Sequence, residues 1–192
     1  MRVAIVNNGA TEPANILNLL GGNDTKVFAY SDTAQIDTDK FDLLVLSGSS
    51  QFPVVYNQDK LAGELSLILA TTIPTLGICY GCELIAVAFG GTLKDRGSGT
   101  QTKGSLRVDI AVDNPIFQGK KDFVVYDAHR WIIDKMPAHF SILARSAHGP
   151  EIIKHDTRPI YGFQFHPEKM LDDTFGDELF AEFIKHEVST QT

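Results

Sequence analysis

Two short stretches of this chain carry residue types that could do covalent chemistry. The first is Gly77-Ile78-Cys79-Tyr80-Gly81, in which an apolar run ends at a cysteine with glycine two residues away on either side. A helical pattern, Glu83 to Phe89, follows at once. This is the cysteine form of the Gly-x-Ser-x-Gly elbow, a sharp strand-to-helix turn that holds its central side chain in a strained, accessible position. The glycines are needed where a β-carbon would collide with the neighbouring strand or helix. A sulfur at the start of a helix is expected to be biased toward thiolate by the free N–H groups there. The second stretch is Phe163-Gln164-Phe165-His166-Pro167-Glu168. Proline biases His166 toward extended backbone, and residues i and i+2 of an extended chain share a side. The His166 imidazole and the Glu168 carboxylate are therefore expected to face one cavity. A cysteine nucleophile needs a base, and that base needs a group fixing its tautomer. Cys79, His166 and Glu168 fill those roles if the fold joins them.

The elements around these stretches suit that purpose. Strand-like runs at Arg2–Val6, Lys26–Tyr30, Asp42–Leu46 and Thr75–Ile78 alternate with helical patterns at Ala14–Leu20 (after Thr11-Glu12-Pro13) and Leu61–Ala70. Several of these strands are apolar on both faces. The pattern predicts an α/β fold, three-layered, with a mostly parallel twisted sheet and helices on both faces. Beyond Gly90-Gly91, the runs Leu106–Val112, Asp122–Tyr126, Phe140–Ala144 and Glu151–Lys154 suggest a small antiparallel section. Ile160–Phe165 returns as a buried strand, and Phe175–Val188 reads as an amphipathic closing helix. At 192 residues and 43% hydrophobic content, residues 1–192 read as one domain. The net charge of −7 argues against nucleic acid as a ligand. No apolar run approaches membrane-spanning length, and the start reads as a strand rather than a signal peptide. With two cysteines, a cytoplasmic protein without disulfides is expected.

The two motifs, in this order and spacing, resemble those of the class I (triad-type) glutamine amidotransferases, and the resemblance covers nearly the whole chain. It implies a flavodoxin-like domain that hydrolyses L-glutamine to glutamate and passes ammonia to a separate ATP-dependent synthetase of the ATP-pyrophosphatase type. The likeness is greatest to stand-alone glutaminase subunits serving GMP synthetase, particularly from Ile142 to Phe183. By that resemblance Cys79 attacks the amide carbon, His166 protonates the departing ammonia, and backbone N–H groups of Tyr80 and the Gly48-Ser49 loop form the oxyanion hole. Gly81 and Glu83 would line the glutamine pocket, Glu83 where many relatives carry glutamine. Lys103 and Gly104, in the turn Thr102–Ser105, and His129 and Arg130 fall where relatives hold the amino-acid end. No cofactor and no metal are implied.

Three departures bear on the acceptor. Gly48-Ser49-Ser50 replaces the usual Gly-Gly-Pro; Ala128-His129-Arg130-Trp131 replaces Ser-His-x-Asp; Lys169-Met170-Leu171-Asp172 replaces Val-x-His-Thr after the Pro-Glu pair. The alternatives are an amidotransferase for another acceptor such as chorismate, a stand-alone γ-glutamyl hydrolase, or a non-catalytic binding subunit on the same fold. Cys79-x-x-Cys82 alone would suggest a thioredoxin-like redox pair, but that fold has no use for the glycines or a distant His-Pro-Glu. A zinc-deaminase reading of Cys79, Cys82 and His166 fails because His-x-Glu comes after the cysteines rather than before. Cys82, one turn into an apolar helix, reads as core. His139, His148, His155 and His186 read as solvated; His129 is either a pocket residue or part of a structural turn.

Overall fold

The computed structural model describes residues 1–10, 13–97 and 103–189; Thr11, Glu12 and Thr102, named above, lie outside them. Among the described residues, eleven strands and four α-helices follow one another as β1 (Arg2–Asn7), α1 (Pro13–Leu19), β2 (Asp24–Ala29), β3 (Leu43–Leu46), α2 (Ala62–Ala70), β4 (Thr75–Ile78), α3 (Tyr80–Ala88), β5 (Thr92–Asp95), β6 (Gly104–Ile110), β7 (Asp122–Asp127), β8 (Trp131–Lys135), β9 (Phe140–Ser146), β10 (Gly149–His155), β11 (Ile160–Phe163) and α4 (Gly176–Phe183).

Nine strands form one sheet in the order β2-β1-β3-β4-β11-β10-β9-β6-β7. The first five run parallel, in the flavodoxin-like order. The last four turn antiparallel, so the antiparallel section takes four of the nine strands. Alternation along each parallel strand divides the core. Val3, Ile5, Leu43, Val45, Leu76, Ile78, Tyr161 and Phe163 face α1 and α4, meeting Ile16, Leu179, Phe180 and Phe183. Ala4, Val6, Leu44, Leu46 and Ile160 face the other way, onto Ile68 of α2 and Leu84 and Ile85 of α3. Full burial of such side chains is worth about 1.5–3 kcal/mol each, so the central strands are held from both faces.

Several boundaries differ from the sequence expectation. β5 and β8 pair as a separate two-stranded ribbon that the half-exposed, partly polar Thr92–Asp95 does not advertise. β11 stops at Phe163 rather than Phe165, although Gln164 N–H still donates to the Glu151 carbonyl at 2.8 Å in register with the β10–β11 pairing. The closing helix is α4 followed by a π-helical turn, Ile184–Val188. After α3, the Gly91 and Gly90 N–H groups donate to the carbonyls of Ala86 (2.8 Å) and Val87 (3.0 Å), with Gly90 at φ +84°. That is the Schellman pairing, which explains the glycine pair.

Candidate active site

Cys79 sits at the step from β4 into α3 with φ 50° and ψ −101°, a conformation a side-chain-bearing residue adopts only under constraint. Strain of this kind costs on the order of 1–3 kcal/mol and persists only where the surroundings over-determine it. The constraint is visible. Cys79 N–H donates to Phe163 O at 2.7 Å, extending the β4–β11 ladder one residue past the strand, and Glu83 N–H returns to Cys79 O at 3.1 Å as the first turn of α3. A β-carbon on Gly77 would lie 2.3 Å from Gly81 O, and one on Gly81 would lie 2.3 Å from Leu46 O. Both flanking glycines are there because backbone occupies the space.

The sulfur is not a preformed thiolate. Burial first, then negative charge at Glu83 and Glu168, pushes the Cys79 thiol well above its usual range, with a hydrogen bond from the Tyr80 backbone opposing. The position at a helix N-terminus favours the ionised form, but desolvation outweighs it here. Cys82 lies wholly in the core. A β-carbon on Gly162 would come within 2.6 Å of its sulfur, so Gly162 in β11 makes its room.

His166 and Glu168 follow β11. His166 N–H donates to Tyr126 O at 3.0 Å, anchoring the segment to β7. The ring Nδ1 lies 2.7 Å from Glu168 Oε1, and the carboxylate is buried. A carboxylate accepts, so Nδ1 carries the proton and Nε2 is left for the cavity. The pairing does not come from extended backbone, as the sequence suggested. His166 (φ −110°, ψ 86°) leads directly into a 3-10 turn, Pro167–Lys169, and that turn brings Glu168 back under the ring.

Gly48 follows β3 and lies between the two motifs. A β-carbon there would stand 3.4 Å from His166 Cε1 and 3.8 Å from Cys79 Cβ. The loop is fixed from behind. Ser47 N–H donates to Val6 O at 3.0 Å; Ser47 Oγ donates to Gly48 O at 2.9 Å and accepts Asn8 N–H at 2.9 Å. Asn8 Nδ2 donates to Glu64 Oε1 at 3.0 Å and to Ser47 O at 3.3 Å. Burial raises the Glu64 carboxyl to about 7, against the pull of the Asn8 hydrogen bond.

Two adjoining cavities, about 400 and 280 Å³, share Ser49, Ser50, Cys79 and Ala128. The larger holds Gly48, His166, Glu168, Lys103, Tyr126 and Lys169; the smaller holds Tyr80, Glu83, His129, Arg130 and Trp131. Gly81 and Gly104 line neither: Gly81 is packed on Leu46 and Gly104 opens β6 opposite Asp127. Arg130 is turned outward, its guanidinium paired with both oxygens of Asp95. Glu83 is buried, and burial raises its carboxyl to about 8, with the charge of His129 and a hydrogen bond from Gln164 pulling the other way. Near neutral pH it is protonated, so it can both donate and accept, as the glutamine of its relatives does.

Sequence reasoning missed the groups behind these walls. Asn8, Ser47 and Glu64 buttress the loop, Lys169 joins the cavity, and Asp127 is fully buried at the end of β7. Asp127 had a signal: in Asp122–Asp127 it falls on the buried phase with Phe123 and Val125. His148 and His155, expected in solvent, are not there. His148 lies 3.3 Å from Asp127. His155 is buried between Phe89 and Phe140, ring centroids 5.3 and 5.0 Å away, and its Nδ1 accepts N–H bonds from Thr157 and Arg158. No helix among the described residues is long and apolar enough to cross a membrane.

The family model for glutamine amidotransferase class-I matches residues 4–186. A glutamine-hydrolyzing GMP synthase subunit of Methanococcus maripaludis is 31% identical over 95% of this chain and 95% of its own length. The corresponding protein of Pyrococcus abyssi is 38% identical over 59% of this chain, and that match spans about 60% of the Pyrococcus protein. Among solved structures, a candidate GMP synthase subunit from Thermoplasma acidophilum superposes with a TM-score of 0.85 at 30% identity, covering 100% of this chain and 96% of that one. A glutamine amidotransferase from Thermotoga maritima shares the fold, with a TM-score of 0.77 at 18% identity and 98% of both chains covered. With the matched region running through both the cysteine elbow and the His-Pro-Glu turn, this chain belongs to the class-I glutamine amidotransferase family.

Proposed function

We propose that this chain is a single-domain glutaminase that hydrolyses L-glutamine through a Cys79 thioester and delivers ammonia to a synthetase partner of the GMP synthase type. The observation that carries the reading is the 2.7 Å His166–Glu168 pair opening on the same cavity as the strained Cys79. Because the resting thiol is neutral, its proton moves to His166 Nε2 as sulfur attacks the amide carbon. His166⁺ then gives that proton to the departing nitrogen, and ammonia leaves. Water, deprotonated by the same nitrogen, cleaves the thioester to glutamate and restores the thiol. Glu168 holds the ring tautomer and stabilises the imidazolium.

The oxyanion sits against the N–H groups of Tyr80 and Ser49. Ser47 fixes the Gly48 carbonyl, and across the trans peptide the Ser49 N–H points opposite to that oxygen, which supports its part as a donor. A preorganised donor of this kind is worth about 3–4 kcal/mol. Lys103 and Lys169 supply positive charge on one side of the cleft for the substrate carboxylate, while Glu83 and His129 line the other. Free thiols at both cysteines suit a reducing, cytoplasmic setting.

The synthetase assignment is supported by the names of the Methanococcus and Pyrococcus relatives. The test measures glutamate release by the chain alone and with the synthetase component of a GMP synthase and its substrates, alongside Cys79→Ala. Glutamine-dependent GMP formation that is abolished by the substitution is expected. Glutamate release that survives Cys79→Ala overturns the nucleophile. Cys79-dependent hydrolysis in the presence of the synthetase, without GMP formation, overturns the acceptor only.

A further inference from the structure

Asp127, His129 and His148 form a second cluster, in which His129, already part of the smaller cavity's wall, meets two residues given no role above. Asp127 ends β7, His129 follows two residues later ahead of β8, and His148 occupies the turn between β9 and β10. Asp127 and His129 are buried and His148 is partly buried, with side-chain exposures of 1%, 1% and 18%. One donor atom from each lies within 4.8 Å of the others, and this is the one group among the described residues so arranged.

The tautomer of His129 is fixed. Its Nδ1 lies 2.7 Å from Trp131 O, a carbonyl that can only accept, so Nδ1 carries the hydrogen. Nε2 is the nitrogen left facing Asp127 Oδ1, at 3.0 Å, and it presents a lone pair there when an ion takes the place of a proton. Nε2 and His148 Nδ1 are both buried and form no aligned hydrogen bond, although each lies close to the Asp127 carboxylate. Lone pairs from three side chains thus converge on one small volume. A carbonyl holding the far nitrogen of a histidine is the usual outer-shell support of a metal ligand.

We propose that Asp127, His129 and His148 bind a divalent first-row transition ion of the zinc class. Ligand bonds of roughly 2.0–2.2 Å in a tetrahedral array set neighbouring donor atoms roughly 3.4 Å apart. His129 Nε2 lies 3.0 Å from Asp127 Oδ1 and His148 Nδ1 lies 3.3 Å from Asp127 Oδ2, and one donor from each residue falls within 4.8 Å of the others, close to that spacing. Two imidazoles and one carboxylate favour zinc, cobalt or nickel over calcium or magnesium. Bound there, the ion ties the end of β7, the approach to β8 and the β9–β10 turn together. It also fixes His129 in the cavity wall beside Cys79.

The test titrates Zn²⁺ and Co²⁺ into the full chain carrying Cys79→Ala, which removes the accessible thiol as a competing ligand. One ion per chain is expected, with a Co²⁺ spectrum of nitrogen and oxygen ligands and no thiolate charge-transfer band. Adding His148→Asn, with folding checked by its circular dichroism and melt, lowers zinc affinity by at least about tenfold; Asp127→Asn lowers it as well. Affinity unchanged by His148→Asn, a thiolate band from Cys82, or no stoichiometric binding at all overturns the site.

Discussion

The Ser47 hydroxyl donates to Gly48 O at 2.9 Å while accepting the Asn8 N–H at the same distance, so one buried side chain sets the direction of the peptide that carries the Ser49 N–H. Where relatives have a second glycine, this loop has Ser49, and its freedom to flip depends on that pin. Ser47→Ala removes it with little change in volume. A typical net hydrogen bond is worth about 1 kcal/mol, and a lost oxyanion donor more. The expected outcome is a fall in kcat of about tenfold or greater with KM little changed, since the loss falls on the transition state. A rise in KM with kcat unchanged would show that the hydroxyl serves substrate binding instead.

Glu168 is buried and hydrogen-bonded to a single ring nitrogen, so Glu168→Gln tests orientation and charge without changing shape. The amide can turn its NH₂ toward Nδ1, which selects the wrong tautomer and withdraws Nε2 as base. By analogy with the serine triad, kcat falls by about 10²–10⁴. Thermal stability stays near wild type, which separates this effect from unfolding. Activity within a factor of about two of wild type would remove Glu168 from the triad.

Gly77 and Gly81 explain why the elbow was legible in the sequence. Each faces backbone at 2.3 Å from where a β-carbon would stand, and backbone cannot move aside as a side chain can. Gly77→Ala is therefore expected to destabilise by about 3 kcal/mol, the upper end for overpacking, which lowers Tm by roughly 6–12 °C in a domain of this size. A melt within about 2 °C of wild type, the shift that a loss of only about 1 kcal/mol produces, would mean that the turn relaxes.

What sequence could carry was local. The positions of Cys79, His166 and Glu168 follow from spacing and from the strand-turn-helix pattern, and the both-face apolar character of Leu43–Leu46 matches its place in the middle of the five parallel strands. What it could not carry depended on distant partners. His155 looked polar in Lys154-His155-Asp156, yet Phe89 and Phe140 close over it from two other elements. The neutral Cys79 thiol was equally hidden, because helix position is written in the sequence and desolvation is not. Even the His166–Glu168 contact arises from a different geometry: i and i+2 do meet, but through a 3-10 turn.

Glu64 gives the clearest dependence on pH. It is buried in α2, Asn8 donates to one of its oxygens, and burial raises its carboxyl from 4.5 to about 7. In the unfolded chain the group ionises at its ordinary value, so between pH 4.5 and about 7 the folded state holds a proton the unfolded state has lost. Stability from this group is therefore full below the unfolded value and declines as pH rises through the folded one, by about 3 kcal/mol in total. Glu64→Gln keeps an acceptor for Asn8 and cannot ionise. Urea unfolding of both proteins across this range isolates the group, because every other titration cancels in the difference. The variant should match wild type near pH 4.5 and exceed it progressively toward pH 8. Parallel curves over the whole range would show that Glu64 stays ionised in the folded protein, and that water or a charge reaches it behind the Ser47 loop.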